Sequence, residues 1–168
     1  MIRQEQKADY EIIYEVIKSA FETAAVKDGD EQDYVSHLRN SSKYIPELAL
    51  VAEEEGHIVG HIMLTKMIIK GEEQDFDALL LSPLCVAYAY RNRGIGKSLV
   101  KASFELAREK GYSSIFLCGN PEYYSQFGFK ETSVFGIFNE SNVPQKYVMA
   151  CELCKDALKG KKGKIRIV

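Results

Sequence analysis

Two different spacings of apolar residues divide the chain. Up to residue 39 the apolar positions recur every three or four residues, which predicts amphipathic helices over 9–21 and 31–39. Beyond residue 48 the pattern is mostly that of strands, and the turn Glu55-Gly56 joins the first two into an antiparallel hairpin. We predict strands over 48–54, 57–69, 76–86, 114–118, 129–132 and 147–153, with helices over 94–110 and 121–127.

Three predicted segments have distinctive local patterns. The strand over 76–86 is almost wholly apolar, so we expect it to be buried on both faces. In the helix over 121–127, Asn120 suits the N-cap, Pro121 the first helical position and Gly128 the residue after the helix. The first residues and the basic tail can each add one more short strand.

The composition is that of a single folded domain. The chain has 168 residues, 46% of them hydrophobic, and it shows no repeats or linkers, so we expect one domain over 1–168. With 22 basic and 24 acidic side chains it lacks the basic surplus of nucleic-acid and anionic-membrane binders. Its apolar runs are shorter than the roughly 18 residues of a membrane helix. The N-terminal residues lack a signal-peptide core, and we expect a cytoplasmic protein.

The cysteines and histidines do not suggest a metal site. Cys151 and Cys154 form a C-x-x-C motif, but on a strand this spacing places the two sulfurs on opposite faces. His57 and His61 are four residues apart on a predicted strand and would stand roughly 13 Å from each other. We therefore expect no bound metal.

The segment with a chemical signature is LCVAYAYRNRGIGKSLVKA, residues 84–102. A strand runs into a loop with two glycines, Gly94 and Gly96, and a helix begins at once. Glycines let backbone N–H groups approach a ligand, and the helix N-terminus adds about half a positive charge. The segment therefore predicts a phosphate or pyrophosphate site. Its spacing fits neither the Walker A loop nor the dinucleotide fingerprint, and the two glycines taken alone favour a tight strand-to-helix turn with solvated cations.

Two motifs of the chain together resemble those of one known family. RNRGIG, 91–96, resembles the pyrophosphate loop of the GNAT superfamily of acyl-CoA-dependent N-acetyltransferases, and NPEYYSQFGF, 120–129, resembles its second CoA motif. The resemblance runs from about Leu48 to Thr132 and is greatest to the YhbS-like branch. It implies an α/β (mixed α+β) fold with a central, mixed, mostly antiparallel twisted sheet. That sheet would have six to seven strands, about four flanking helices and a splay between its fourth and fifth strands.

The resemblance also implies a site for acetyl-CoA as cosubstrate. The strand before the loop would offer backbone groups to the pantetheine arm, the loop amides would hold the pyrophosphate, and the second motif would approach the cofactor. The implied cofactor-binding residues are Leu84, Cys85, Val86, Arg91, Asn92, Arg93, Gly94, Ile95, Gly96, Lys97, Asn120 and Tyr123. The implied catalytic residue is Tyr124, because a phenol with an ordinary pKa near 10 is matched to protonating a departing thiolate.

The implied reaction is direct transfer of an acetyl group to a primary amine. The general base is unassigned, because the strand over 76–86 carries no carboxylate after Asp77. A catalytically weak acyl-CoA-binding sensor is the alternative for that reason. The acidic segment 28–33 can attract a cationic amine but is more simply a solvated helix start, and the apolar segment 134–144 can line a substrate entrance. The expected partners are acetyl-CoA and an amine acceptor, with a homodimer allowed.

Overall fold

The structure is a computed structural model that describes residues 1–23 and 29–167. Its α-helices are α1 (Tyr10–Glu22), α2 (Glu31–Arg39), α3 (Ile95–Glu109) and α4 (Pro121–Tyr124). Its strands are β1 (Ile2–Gln4), β2 (Ala49–Glu54), β3 (His57–Gly71), β4 (Phe76–Val86), β5 (Ser114–Cys118), β6 (Lys130–Glu131), β7 (Ile137–Asn139), β8 (Val148–Glu152) and β9 (Gly163–Ile165). No helix in these described ranges is both long and apolar enough to cross a membrane.

The chain forms two compact units. The first consists of Met1–Thr65 and Ser82–Leu106, and the second of Lys66–Leu81 and Ala107–Val168. The strands β3 and β4 each contribute residues to both units. The expectation of one domain over 1–168 stays a prediction.

In the first unit, helices cover a small antiparallel sheet. β2 pairs with β1 and with the first part of β3, and the predicted turn at Glu55-Gly56 has positive φ angles of 51° and 80° at its two residues. Two consecutive residues of positive φ are what a tight two-residue hairpin requires. The apolar stripes of α1 and α2 pack into one core with β2, in which Ile17, Val35 and Val51 are buried.

A buried carboxylate ties three parts of this unit together. Glu5, just after β1, accepts hydrogen bonds from Arg39 Nε at 2.9 Å and Nη2 at 2.8 Å, from the Tyr44 hydroxyl at 2.8 Å and from His61 Nε2 at 2.9 Å. Since a carboxylate only accepts, His61 must carry its proton on Nε2. Burial opposes ionisation of Glu5, but its hydrogen bonds from Arg39 and His61 outweigh this and lower its pKa to about 2. Burial also lowers the pKa of His61. We call these four residues the Glu5 cluster.

The second unit is built around β5. This strand pairs in parallel with β4 at two positions and antiparallel with β8 at five, while β6 pairs with the other edge of β8. β9 pairs with both β3 and β7. Phe116, Ile137 and Val148 are central members of the core beneath these strands.

Most predicted elements occur where the apolar spacing placed them, and two expectations were wrong. The described residues form nine strands instead of six to seven, because β7 and β9 are three-residue strands too short to carry a periodic pattern. β4 is not buried on both faces. From Leu79 onward its residues alternate between buried and half-buried, so Leu84 and Val86 stay partly exposed while Cys85 is buried. An all-apolar run does not reveal which of its faces other elements cover.

Candidate functional site

The loop after β4 is shaped by two residues with left-handed backbone. β4 ends at Val86, a short helical turn follows, and α3 begins at Ile95. Asn92 has φ 64° and Gly94 has φ 81°. A Cβ atom at Gly94 would meet no described atom within 4 Å, so the space above this residue is open. The loop thus presents a strand-to-helix turn that a ligand can approach down to the backbone.

The start of α3 supplies donors to that open space. The first bond of the helix runs from the Ser98 N–H to the Gly94 carbonyl at 3.0 Å. The N–H groups of Ile95, Gly96 and Lys97 precede this bond, and groups in that position point out of the helix end. Together with the helix dipole they favour an anion. Ile95 is buried and anchors the turn, while Lys97 is exposed.

Arg91 has a different role from the other loop cations. Its Nε donates to the Val86 carbonyl at 3.1 Å, Nη2 to the Ala20 carbonyl at 2.9 Å, and Nη1 to the Thr23 hydroxyl at 3.3 Å. Arg91 therefore fastens the loop to the end of β4 and to the last turn of α1. Arg93 is exposed, with its guanidinium 5.0 Å from the centre of the Tyr90 ring. The sequence alone does not distinguish Arg91 from Arg93, since the acceptors of Arg91 all lie outside the motif 91–96.

The end of β4 offers backbone and apolar surface in place of reactive side chains. Leu84 and Val86 are half-buried, and the Ala87 N–H donates to the Val59 carbonyl at 2.7 Å. Burial raises the pKa of the Cys85 thiol to about 12, so this sulfur stays protonated near neutral pH. A buried, protonated thiol is a poor nucleophile.

In the second unit, the segment from Gly119 to Gly128 has the predicted form. The Asn120 side-chain oxygen accepts from the Glu122 N–H at 2.9 Å, which makes Asn120 the N-cap of α4, with Pro121 at the first helical position. A 3-10 turn continues α4, and the segment ends at Gly128 with φ 91°. The oxygen of Asn120 is thereby engaged in its own helix.

The half-buried ring of Tyr124 packs against two neighbouring aromatic rings and against Gly119. Its centroid lies 5.0 Å from that of Tyr123 and 5.8 Å from that of Phe129, both in edge-to-face geometry. A Cβ atom at Gly119 would stand 2.5 Å from Tyr124 Cε2, so only glycine leaves room for this ring. Tyr123 is 38% exposed, and partial burial raises its pKa. Gly119 was not among the predicted site residues, although its position directly before the N-cap Asn120 was a signal for it.

The carboxylates considered as bases or substrate ligands have local partners. Glu53 accepts from Arg3 Nη2 at 2.7 Å, and Asp33 accepts from the Tyr14 hydroxyl at 3.0 Å. Asp28, the first residue of the acidic segment 28–33, lies outside the described residues. In the ranges that the structure describes, no group of three His, Cys, Asp or Glu side chains could hold a metal ion.

Comparison with known proteins defines the class. Residues 1–132 match the acetyltransferase (GNAT) domain. The chain therefore belongs to the GNAT family, a family of acyltransferases, and the predicted family and fold class are confirmed. The loop before α3 and the segment that contains α4 are the two motifs that pointed to it.

Within the family the chain is YhbS-like. It is 30% identical over 131 residues to the uncharacterized N-acetyltransferase YhbS of Escherichia coli K12, covering 77% of this chain and 73% of that protein. It is 35% identical over 109 residues to the uncharacterized N-acetyltransferase YjhQ of the same strain, covering 65% of this chain but only 60% of YjhQ.

Two solved structures share the fold. The crystal structure of Escherichia coli YhbS in complex with CoA aligns with a TM-score of 0.82 at 23% identity, over 100% of this chain and 89% of that one. A GNAT family acetyltransferase from Brucella melitensis in complex with acetyl-CoA aligns with a TM-score of 0.77 at 26% identity, over 97% and 92%.

Proposed function

We propose that this chain binds acetyl-CoA and transfers its acetyl group to a primary amine. The observation that carries the proposal is the open, left-handed turn at Gly94, directly before the donors of α3. A turn of this form fits a diphosphate, because phosphate oxygens can accept from the helix amides without meeting a side chain. Support comes from the Brucella melitensis relative, which was crystallised with acetyl-CoA.

The proposed cofactor contacts divide between backbone and cations. The loop amides hold the diphosphate, with the exposed Arg93 and Lys97 as accessible cations, while Arg91 holds the loop in position. The partly exposed end of β4 lies along the pantetheine arm, as the family resemblance implies. The proposed cofactor residues are Leu84, Cys85, Val86, Arg91, Asn92, Arg93, Gly94, Ile95, Gly96, Lys97, Asn120 and Tyr123.

The proposed reaction forms an amide bond and breaks the carbon–sulfur bond of the thioester. The acceptor ammonium first loses a proton to solvent, and the neutral nitrogen attacks the thioester carbon to give a tetrahedral oxyanion. The carbon–sulfur bond then breaks, and the CoA thiolate takes a proton from the Tyr124 hydroxyl. The nitrogen loses its second proton as the amide forms, and Tyr124 is reprotonated, so the products are an N-acetyl amine and CoA. A positioned acid of this kind contributes about 10²- to 10⁴-fold in rate.

Cofactor binding tests the loop assignment. Acetyl-CoA at a hundred times its Kd should stabilise the protein by about 2.7 kcal/mol, which raises Tm by roughly 5–10 °C for a chain of this size. Gly94→Val should weaken acetyl-CoA binding at least tenfold. Gly160→Val is the matched control, because Gly160 also has positive φ, 76°, and open space around its Cβ position. Both variants should lose similar stability, and equal acetyl-CoA affinity in the two would refute the loop assignment.

Turnover tests the role of Tyr124. In an assay of free CoA thiol with a panel of amines, Tyr124→Phe should lower kcat at least a hundredfold and leave the Kd of acetyl-CoA within twofold. Tyr112→Phe, another half-buried tyrosine, should leave both unchanged. Equal kcat for Tyr124→Phe and the wild type would exclude Tyr124 as the acid.

A sensor function is the second candidate. It is favoured by the absence of a carboxylate after Asp77 in β4. Tight acetyl-CoA binding without amine-dependent release of CoA would support the sensor over the transferase.

A further inference from the structure

Three strands of the second unit form a small sheet with one buried and one exposed face. β9 pairs with the end of β3 on one side and with β7 on the other. Ile69 of β3, Ile137 of β7 and Ile165 of β9 are buried in the core of this unit. Because side chains alternate between the two faces of a strand, the residues next to these isoleucines point away from the core.

The exposed face carries cations and two large apolar side chains. Ile68 is 66% exposed and Phe138 is 56% exposed. We call the exposed residues of these strands and of the positions just after them the basic sheet face: Lys66, Ile68 and Lys70 along β3, Lys164 and Arg166 along β9, and Phe138 and Glu140 along β7. The face therefore has four basic side chains, one acidic side chain and two apolar ones.

The strand register places these side chains side by side. Lys70 pairs with Lys164, and Lys164 pairs with Phe138, so the three form one row across the sheet. Neighbouring strands are about 4.8 Å apart, and Ile68 lies roughly 7 Å from Lys70 along β3. The cations of the row thus lie between the two exposed apolar side chains, within the reach of one short extended segment of a partner.

The row contains an unfavourable pair. Lys70 and Lys164 are directly opposite each other on adjacent strands, and like charges in this arrangement destabilise a sheet. The nearby Glu140 lies 3.7 Å from the Lys164 ammonium, but both side chains are largely exposed, so this ion pair compensates little. Local conflicts of this kind are expected where a surface serves a function. An anionic partner would turn the repulsion into attraction.

The positive charge of this face is local. The chain as a whole has a net charge of −2, whereas residues 159–166 include five basic side chains and no acidic one. A concentrated patch of one sign attracts partners of the opposite sign even on a protein of small net charge. The composition of the whole chain therefore does not reveal this surface.

We propose that the basic sheet face docks an acidic protein segment whose carboxylates alternate with apolar side chains. The carboxylates pair with Lys70 and Lys164, and the apolar side chains cover Ile68 and Phe138. A nucleic acid is a poorer match, because its phosphates offer nothing apolar to Ile68 and would be repelled by Glu140. This docking is independent of the proposed acetyl transfer.

Fluorescence anisotropy with a labelled peptide measures the docking on the full chain. The probe is a peptide of three Glu-Leu-Asp-Phe repeats, and a second peptide has serine in place of each Leu and Phe. The two share their charge, so the first should bind at least fivefold more tightly because of its apolar contacts. Both should bind more weakly as salt rises from about 50 to about 300 mM, since the ion pairs are exposed.

Three single variants test the residues of the face. Lys70→Gln and Lys164→Gln should each weaken the apolar-acidic peptide about two- to fivefold, the size of an exposed ion pair. Phe138→Ser should weaken the same peptide about fivefold and leave the serine peptide unchanged, because it removes an apolar contact and no charge.

Matched controls come from exposed residues elsewhere. Lys130→Gln removes an exposed lysine of the same unit on β6, and Ile12→Ser removes an isoleucine of α1 that is 52% exposed. Neither should alter the affinity for the peptides. Acetyl-CoA affinity is measured in all five variants and should not change, so failure of the docking face is distinguishable from failure of the proposed cofactor site.

Three results would overturn the proposal. The first is undetectable binding of the apolar-acidic peptide with the protein at about 100 μM, or binding that none of the three face variants alters. The second is tighter binding of an oligouridylate with as many nucleotides as the peptide has residues, which would assign the face to a nucleic acid. The third is binding of phosphatidylserine vesicles in place of the peptide, which would assign it to a membrane surface.

Discussion

Replacing Glu5 by Gln should remove a large part of the stability of the first unit. The Glu5 side chain has no exposed surface, and its carboxylate accepts four hydrogen bonds from three side chains. Each carboxylate oxygen accepts two of them. Glu5→Gln keeps the size but turns one oxygen into an NH2 group, which would face two donors, and it leaves the Arg39 guanidinium without its counter-charge.

The magnitude follows from the burial of both partners. The side chain of Arg39 is only 7% exposed, so the pair is a buried one. Removing one partner of such a pair costs about 3–5 kcal/mol, against a typical total of about 5–15 kcal/mol for a folded protein. At roughly 2–4 °C per kcal/mol for a chain of this length, Tm should fall by roughly 6–20 °C.

Urea unfolding followed by far-ultraviolet circular dichroism measures this loss. The midpoint should fall while the slope of free energy against urea stays the same. Glu15→Gln, an exposed carboxylate on α1, is the control and should stay within about 0.5 kcal/mol of the wild type. A loss below 1 kcal/mol for Glu5→Gln would contradict this prediction, because it would mean that Arg39 finds other partners or water at no cost.

Three further predictions concern titration, ring placement and thiol reactivity. Stability should fall as the pH drops below 6.5, because His61 takes up a proton more readily in the unfolded chain than in the folded protein. It should fall again from pH 4.5 toward 2, because the same is true of Glu5. Urea midpoints at pH 7, 5 and 3 test this, and equal midpoints would contradict it. Gly119→Ala should displace the ring of Tyr124 and lower kcat with little change in acetyl-CoA affinity, so a wild-type kcat would show that the ring is free to move. A thiol reagent at pH 8 should modify the two exposed cysteines of the native protein and leave Cys85 unmodified until denaturant is added; its modification in the native protein would contradict the burial.

Local spacing predicted the elements well because it depends on neighbouring residues alone. The bounds of α2, β4 and β5 agree with the pattern residue for residue. The same holds for the cap at Asn120 and the left-handed end at Gly128, since both are set by backbone chemistry within one turn. The strand-to-helix turn at Gly94 was likewise predictable from its own residues, because its glycines and the flanking apolar runs are neighbours in the sequence.

What the sequence did not show depends on contacts between distant positions. Glu5 meets Arg39 across 34 residues and His61 across 56, and one sequence gives no sign of either pairing. The acceptors of Arg91 include Ala20, 71 residues away. The covered and uncovered faces of β4 are set in the same way, by whichever elements pack on them, and an unbroken apolar run is silent on that point.

The partly exposed end of β4 has a thermodynamic consequence. Leu84 and Val86 present apolar surface that water reaches in the unliganded protein. If the pantetheine arm covers this surface, as proposed, binding acetyl-CoA removes it from water and lowers the heat capacity of the system. The enthalpy of binding should then become steadily more negative between 10 and 35 °C, with a slope that reports the apolar area covered. Replacing Val86 by Ala would reduce that slope, so that a calorimeter could detect the sheet's contribution to the cofactor separately from that of the loop.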